Sequence, residues 1–478
     1  MTSRTRMVGK KINRRRFLKT VSGSIGALTL GLRPHIDAAV SKNARQKPNI
    51  LFIITDDQRW DALGCAGNSI IHTPNMDSLA GKGVRFENAF ATTPICAASR
   101  ATIFTGLYER AHRFNFGTEP LNHKYIIRSY PYLLRRSGYY TGFVGKFGMD
   151  VDDRDSELFD FYRNLNRNPY FKTVGGQHVH LTEITGDRAI QFLKGCRREK
   201  PFCLTVSFNA PHAEDNDPRQ YFWPPVCNDL YQGIHIPPAK LADPGFFEAL
   251  PDFLRNSLNR IRWKWRFDNP QKYQQMVKGY YRMISGVDHT IGSLIDHLKS
   301  FGLYHNTVII MISDNGYFLG ERGFAGKWLL HEPSTRVPLI IFDPRQPEAG
   351  RGQVIPQLVS NTDLAPTILD LANLPVPGNM HGKSVLPLVR RHVEGWRDIL
   401  LLEHLYRHPQ IPKSEGIRTE KWKYIRYPDH DSYVELYDLH NDALEEHNLA
   451  MTRRYKPVRM ELNQACNQLI DSIMLRQP

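Results

Sequence analysis

Asn49-Ile50-Leu51-Phe52-Ile53-Ile54-Thr55 is a continuous uncharged run that closes on Asp56-Asp57. Such a run reads as a strand buried on both faces. Far downstream, Thr307-Val308-Ile309-Ile310-Met311-Ile312-Ser313 has the same design and closes on Asp314-Asn315. A third run, Pro201 to Phe208, leads into Asn209-Ala210-Pro211-His212, and a fourth covers Val337 to Phe342. Helical patterns alternate with these runs. In residues 275–300, Met283, Val287, Ile291, Leu294 and Leu298 recur at three- and four-residue spacing. Another helix starts after Asp363, which is read as its cap. The alternation predicts an α/β fold, with a mainly parallel central sheet and helices on both faces. Active sites in such sheets form at the carboxyl ends of strands. Three strands that end in Asp, Asn or His would therefore point polar groups at one edge.

From about residue 397 the pattern changes to short strand-like pieces, Asp398–Glu403 and Trp422–Tyr427, and a helical tail, Tyr455–Leu475. The expected organisation is an N-terminal segment 1–47, a large catalytic domain 48–396 and a small α+β domain 397–478. A chain of 478 residues accommodates a large domain and a smaller one.

The net charge of +15 raises the question of nucleic acid, and its distribution answers it. Residues 1–47 carry twelve Lys/Arg and one acid, Asp37, so most of the charge sits there and residues 48–478 are only mildly basic. No nucleic-acid partner is expected. Within the basic segment, Asn13-Arg14-Arg15-Arg16-Phe17-Leu18-Lys19 precedes a Gly/Ser-rich apolar run from Val21 to Leu32. This resembles a twin-arginine (Tat) export signal, which implies the Tat machinery as a partner and a periplasmic or secreted protein. The run is too short to span a bilayer, so no stable membrane span is expected. The six cysteines lack paired Cys-x-x-Cys spacing, which disfavours structural zinc.

Asp56, Asp57, Asp314 and Asn315 are hard oxygen donors, a set suited to Ca²⁺ or Mg²⁺. Cys96-Ala97-Ala98-Ser99-Arg100 stands among them, continuing as Ala101-Thr102-Ile103-Phe104-Thr105-Gly106. It resembles the Cys-x-Pro/Ala-x-Arg maturation signature of type I sulfatases, of alkaline-phosphatase-like fold. The resemblance extends through Thr55-Asp56-Asp57-Gln58-Arg59, Gly145-Lys146, Ala210-Pro211-His212, Ser313-Asp314-Asn315-Gly316, Gly326-Lys327 and Ser334-Thr335-Arg336-Val337-Pro338. It covers roughly residues 48–390.

The resemblance implies hydrolysis of sulfate esters, with a sulfated carbohydrate as the expected substrate. A formylglycine-generating maturation enzyme would oxidise Cys96. Hydrated formylglycine is a geminal diol: one hydroxyl attacks sulfur, and the other, once deprotonated, expels sulfate. Asp56, Asp57, Asp314 and Asn315 would hold calcium together with an oxygen of the residue made from Cys96. Arg100 would steady that residue, and Lys146 and Lys327 would clamp sulfate oxygens. His212, alone or with Lys327, would protonate the leaving alcohol.

One position departs from the family. Where a histidine commonly follows the first active-site lysine by two residues, this chain has Gly148, within Gly145-Lys146-Phe147-Gly148. His112, His178, His180 and His331 are the candidates to supply the missing base. His112 ranks first, because it follows Cys96 closely in sequence. Trp223, Trp263, Trp265, Arg266 and Tyr280 are candidates for stacking on a sugar. Two other readings remain open at this level. A phosphodiesterase or phosphonate monoester hydrolase of the same fold is disfavoured by Asn315, where histidine would give a nitrogen ligand. A catalytically silent glycan-binding relative has only Gly148 in its favour.

Overall fold

The computed structural model describes residues 47–152, 155–347 and 351–476. The proposed export signal lies outside the described residues. Eight strands form the central sheet: β1 (Asn49–Thr55), β2 (Val84–Phe90), β3 (Tyr140–Gly145), β4 (Phe161–Asn164), β5 (Phe202–Ser207), β6 (Thr307–Ser313), β7 (Leu339–Phe342) and β8 (Gln353–Ser360). Their order is β8-β2-β7-β6-β1-β5-β3-β4. All pairs are parallel except those of β7, which runs antiparallel to both β2 and β6. The chain between β6 and β7 holds a hairpin of two-residue strands, the 3-10 turn Glu321–Gly323 and the short helix Glu332–Thr335. Without a crossover helix it returns in the opposite sense.

Every residue of β1 is buried. Ile50, Phe52 and Ile54 join one apolar core with Ala97, Ala101 and Phe104 of the helix Cys96–Thr105. Leu51 and Ile53 join a second core with Met283, Val287 and Ile291 of the helix Pro270–Ser300. Each such side chain contributes about 1.5–3 kcal/mol when withdrawn from water. This two-sided burial explains the unbroken apolar pattern and fixes β1 at the centre, between β5 and β6.

The helix Pro270–Ser300 begins earlier than its apolar spacing indicates. Asn269 caps it by accepting from the Lys272 amide at 2.9 Å, and Pro270 opens the first turn. Asp363 does not cap the helix Leu364–Leu371. Its carboxylate accepts instead from the amides of Ser360 and Lys383 and from the guanidinium of Arg397. A charged partner from the following segment outcompetes local capping.

Toward the C-terminus, β9 (Ile399–His404), β10 (Ser414–Thr419), β11 (Trp422–Arg426) and β12 (Val434–Asp438) form an antiparallel sheet in sequence order. The helix Lys456–Leu475 packs on it, and its Leu462, Cys466 and Ile473 are continuous with the first core of the large sheet. All six cysteines are free. Among the described residues, no helix is long and apolar enough to cross a membrane.

Candidate active site

The adjacent parallel strands β1, β5 and β6 end side by side, with Ile54 level with Ser207 and Thr55 level with Ser313. Their extensions therefore converge. Asp57 turns into the left-handed region (φ 71°), and its amide donates to Asp314 Oδ1 at 3.2 Å. The hydroxyl of Tyr280, from the long helix, donates to the Asp57 carbonyl at 2.7 Å and holds the turn. Asn315 Nδ2 donates to Asp57 Oδ1 at 2.6 Å.

Cys96 opens a helix whose ten residues are all buried. Its thiol lies 3.3 Å from Asp56 Oδ1 and 2.5 Å from Lys327 Nζ. Four residues on, and so on the same helical face, Arg100 donates from Nε to Asp314 Oδ2 at 2.9 Å. Its Nη1 donates to the Lys146 carbonyl and to Ser207 Oγ, both at 2.6 Å. Lys146 follows Gly145, where φ is 106° and a Cβ would lie 1.9 Å from the Ser207 carbonyl. Only glycine allows this approach, which delivers Lys146 Nζ to within 2.5 Å of Asp56 Oδ2. Lys327 Nζ is also 2.5 Å from Asp57 Oδ1. His212 Nε2 lies 3.6 Å from Asp57 Oδ2, and its Nδ1 donates to the Ala213 carbonyl at 2.7 Å. Asp56, Asp57, Cys96, Arg100, Lys146, His212, Asp314, Asn315 and Lys327 all meet here.

The donor set fits a hard divalent cation. Asp57 Oδ2 and Asn315 Oδ1 are buried without a hydrogen-bond partner among the described residues. Burial, and then the neighbouring Asp56, push Asp314 up to about 6, a crowding of negative charge that a cation relieves. Ligand atoms of Asp56, Asp57, Cys96 and His212 lie within 4.8 Å of one another. The oxygens of Asp56, Asp57, Asp314 and Asn315 outnumber one imidazole and one thiol, which fits a hard divalent cation.

Protonation in the site follows from burial and neighbouring charge. Burial and Asp56 push the Cys96 thiol up to about 11, so an unmodified thiol would be a poor nucleophile at neutral pH. Burial, Arg167 and Lys327 hold His212 well below the usual histidine range. Burial alone would lower Lys327, but Asp57 and the other acids hold it above the ordinary lysine range.

His112 does not face this centre. Its Nε2 is 3.1 Å from Thr102 Oγ1, its Nδ1 accepts from the Phe114 amide at 3.1 Å, and burial pushes it down to about 3. With both nitrogens engaged inside the core, it is a packing residue. His178 is exposed on a hairpin, and His180 is buried as the cap of the helix Leu181–Lys194. His331 Nε2 lies 2.8 Å from Glu435. Position 148 itself has no room. Gly148 has φ 69°, and a Cβ there would lie 2.9 Å from Arg100 Cδ and 3.3 Å from Lys146 Cε.

The site opens into a cavity of about 480 Å³. Cys96, Lys146, His212 and Lys327 lie at its floor, while Phe116, Arg167, Arg262, Trp328, Tyr406 and His408 line its walls. The proposed stacking residues are elsewhere: Tyr280 is buried against Asp57, and Trp223, Trp263 and Trp265 do not line the cavity. The wall residues are scattered along the sequence, with Arg262 on the helix Leu258–Arg266 and Phe116, Arg167, Tyr406 and His408 on segments that no motif marks. Arg262, beside Trp263, and Trp328, beside Lys327, are the two that adjoin residues singled out from sequence.

Comparison with known proteins gives the family. The sulfatase family model matches residues 48–374, and that for the N-sulphoglucosamine sulphohydrolase C-terminal region matches 320–472. An N-acetylglucosamine-6-O-sulfatase of Bacteroides thetaiotaomicron is 29% identical, over 88% of this chain and 86% of its own. A choline-sulfatase of Rhizobium meliloti is 32% identical, over 85% of this chain and 83% of its own. A solved structure in complex with its substrate D-glucosamine-2-N,6-O-disulfate superposes with a TM-score of 0.77 at 26% identity, covering 90% of this chain and 98% of the other. The chain belongs to the sulfatase family and is a hydrolase of sulfate esters.

Proposed function

We propose that the enzyme removes sulfate from a sulfated sugar, with residue 96 as a formylglycine made from Cys96 and a calcium ion held by Asp56, Asp57, Asp314 and Asn315. The observation that carries this reading is the convergence of Cys96, Arg100 and both lysines on the buried carboxylates of Asp56, Asp57 and Asp314, beside two oxygens, Asp57 Oδ2 and Asn315 Oδ1, that have no hydrogen-bond partner among the described residues. When bound, the cation supplies positive charge that lowers the pKa of a hydroxyl on residue 96 and neutralises the sulfate. Arg100 fixes Asp314 and the helix turn that carries residue 96. Lys146 and Lys327 orient the sulfate and stabilise charge as the S–O bond breaks.

The two proton-transfer roles divide between His212 and Lys327. His212 uses its Nδ1 proton on the Ala213 carbonyl, which leaves Nε2 unprotonated and facing the site. A neutral imidazole of this tautomer accepts a proton, so His212 takes over the basic role that position 148 cannot fill. Lys327 remains charged and is the donor to the leaving alcohol. The size of the cavity, its aromatic Phe116, Trp328 and Tyr406 and the amides of Asn164 and Asn166 suit a sugar ring. The Arg14–Arg16 segment supports export through the Tat machinery to the periplasm or beyond, after which the maturation enzyme is no longer needed.

Sulfate release from N-acetylglucosamine 6-sulfate by matured enzyme tests the activity. His212→Ala should release one equivalent of nitrophenol from 4-nitrophenyl sulfate in a burst and then turn over slowly. Lys327→Ala should lose far more activity on a sugar sulfate than on the nitrophenyl ester, whose leaving group needs no proton. The same loss on both would refute the assignment of Lys327.

A further inference from the structure

One wall of the cavity carries more positive charge than its own carboxylate balances. Asp215 accepts from Arg262 Nη2 at 2.5 Å and from the fully buried Arg266. Burial pushes Asp215 up, but Arg262, Arg266 and Arg167 together hold it below the usual carboxylate range. Three guanidiniums thus surround one acid. Arg262 is partly committed: its Nη2 meets Asp215 and its Cζ lies 4.6 Å from the centre of the Trp328 ring, while Nε and Nη1 are buried without a hydrogen-bond partner among the described residues. Arg167 is different. It is half-buried and lines the cavity; its Nε donates to Asn168 Oδ1 at 3.1 Å, and it makes no ion pair among the described residues. At the floor, by contrast, Arg100, Lys146 and Lys327 equal Asp56, Asp57 and Asp314 in number.

A single sulfate ester seated among the floor cations leaves this wall uncompensated. Arg167 lines the same cavity as Cys96, Lys146 and Lys327, so one bound sugar can meet both the wall and the floor. We propose that Arg167, backed by Arg262 on Trp328, receives a second anionic substituent, a sulfate or a carboxylate, on the sugar that carries the scissile sulfate. This rests on the sugar-sulfatase reading and narrows it to doubly charged substrates. A planar guanidinium suits either anion, because both present paired oxygens.

The test compares full-length wild type with Arg167→Ala and Arg167→Lys on three probes. These are N-acetylglucosamine 6-sulfate, glucosamine 2-N,6-O-disulfate and a 6-sulfated glucosamine joined to a uronic acid. Binding is measured by calorimetry on unmatured protein, whose residue 96 is still cysteine, and turnover on matured protein. Wild type should bind at least one doubly charged probe about 10- to 100-fold more tightly than the singly charged one. The tighter of the two identifies the second group as sulfate or carboxylate. Arg167→Ala should erase that preference, raising KM more than it lowers kcat, and Arg167→Lys should restore part of it. Equal binding of all three probes by wild type, or an equal loss on all three in Arg167→Ala, overturns the subsite. Failure of matured wild type to release sulfate from any probe would instead overturn the sugar-sulfatase reading, while the calorimetry would still decide the subsite.

Discussion

Two buried charge clusters lie on the same chain, and they differ in kind. At the seam between the two sheets, Glu332 lies 3.0 Å from Arg418 Nε and 2.7 Å from Lys423 Nζ, and Lys423 also lies 2.8 Å from Glu445. Burial pushes Glu332 up, but Arg418 and Lys423 hold it well below the usual range. At the active-site floor the outcome is reversed for Asp314, which burial and Asp56 raise to about 6 despite Arg100. The seam is a closed set of opposite charges that ties β10 and β11 to the helix Glu332–Thr335. The floor, at the end of a cavity, holds as many cations as acids, yet Asp314 stays raised in spite of them. Burial of charge alone therefore does not mark an active site; unresolved negative potential beside open space does.

Substitutions should separate the two clusters. Cys96→Ala should lower turnover by about four orders of magnitude or more, since it removes the proposed nucleophile. Its unfolding free energy should change by less than about 1 kcal/mol. Lys423→Met should do the opposite. Leaving Glu332 and Glu445 short of a buried cation should cost about 3–5 kcal/mol in denaturant unfolding, while kcat per folded molecule stays within a few-fold. If Lys423→Met instead abolished turnover at full stability, the distinction between seam and floor would fail.

A smaller effect is expected from restoring the family histidine. Gly148→His places a side chain at positive φ against Arg100, which should cost about 1–3 kcal/mol of stability. It should also lower kcat by displacing Arg100; a gain in kcat would show that His212 does not serve as the base.

The last contrast is a matter of slope. Glu109, beside Glu403, is raised by burial from 4.5 to about 8. The unfolded chain loses this proton first, so the stabilisation is complete below about pH 4.5 and is lost as pH rises toward 8. Its contribution to the slope is at most about 1.4 kcal/mol per pH unit. Glu109→Gln should flatten unfolding free energy across that window, and an unchanged slope would remove Glu109 from the account.

The parts of the molecule legible in sequence were those set by local pattern. The runs of β1, β5 and β6 are apolar because both faces are buried, and their polar ends necessarily converge once the strands are parallel neighbours. Cys96 and Arg100 share a face through helical spacing. What sequence did not show depends on tertiary approach. His112 is near Cys96 along the chain, yet the helix carries it into the core and away from the floor. Asp363 has the residue type of a cap, but Arg397 takes its carboxylate. β7 was visible as a strand while its direction was not, since direction depends on the connection. Arg167, Tyr406 and His408 reach the cavity from loops that carry no periodic signal.

Residue 96 is proposed to act as a formylglycine and not as a thiol. The direct measurement is the mass of the tryptic peptide containing residue 96, taken from enzyme whose sulfate release has been quantified. Conversion of Cys96 should lower that mass by roughly 18 Da, and the converted fraction should track specific activity across preparations. Full activity in a preparation whose Cys96 is entirely unmodified would contradict the account.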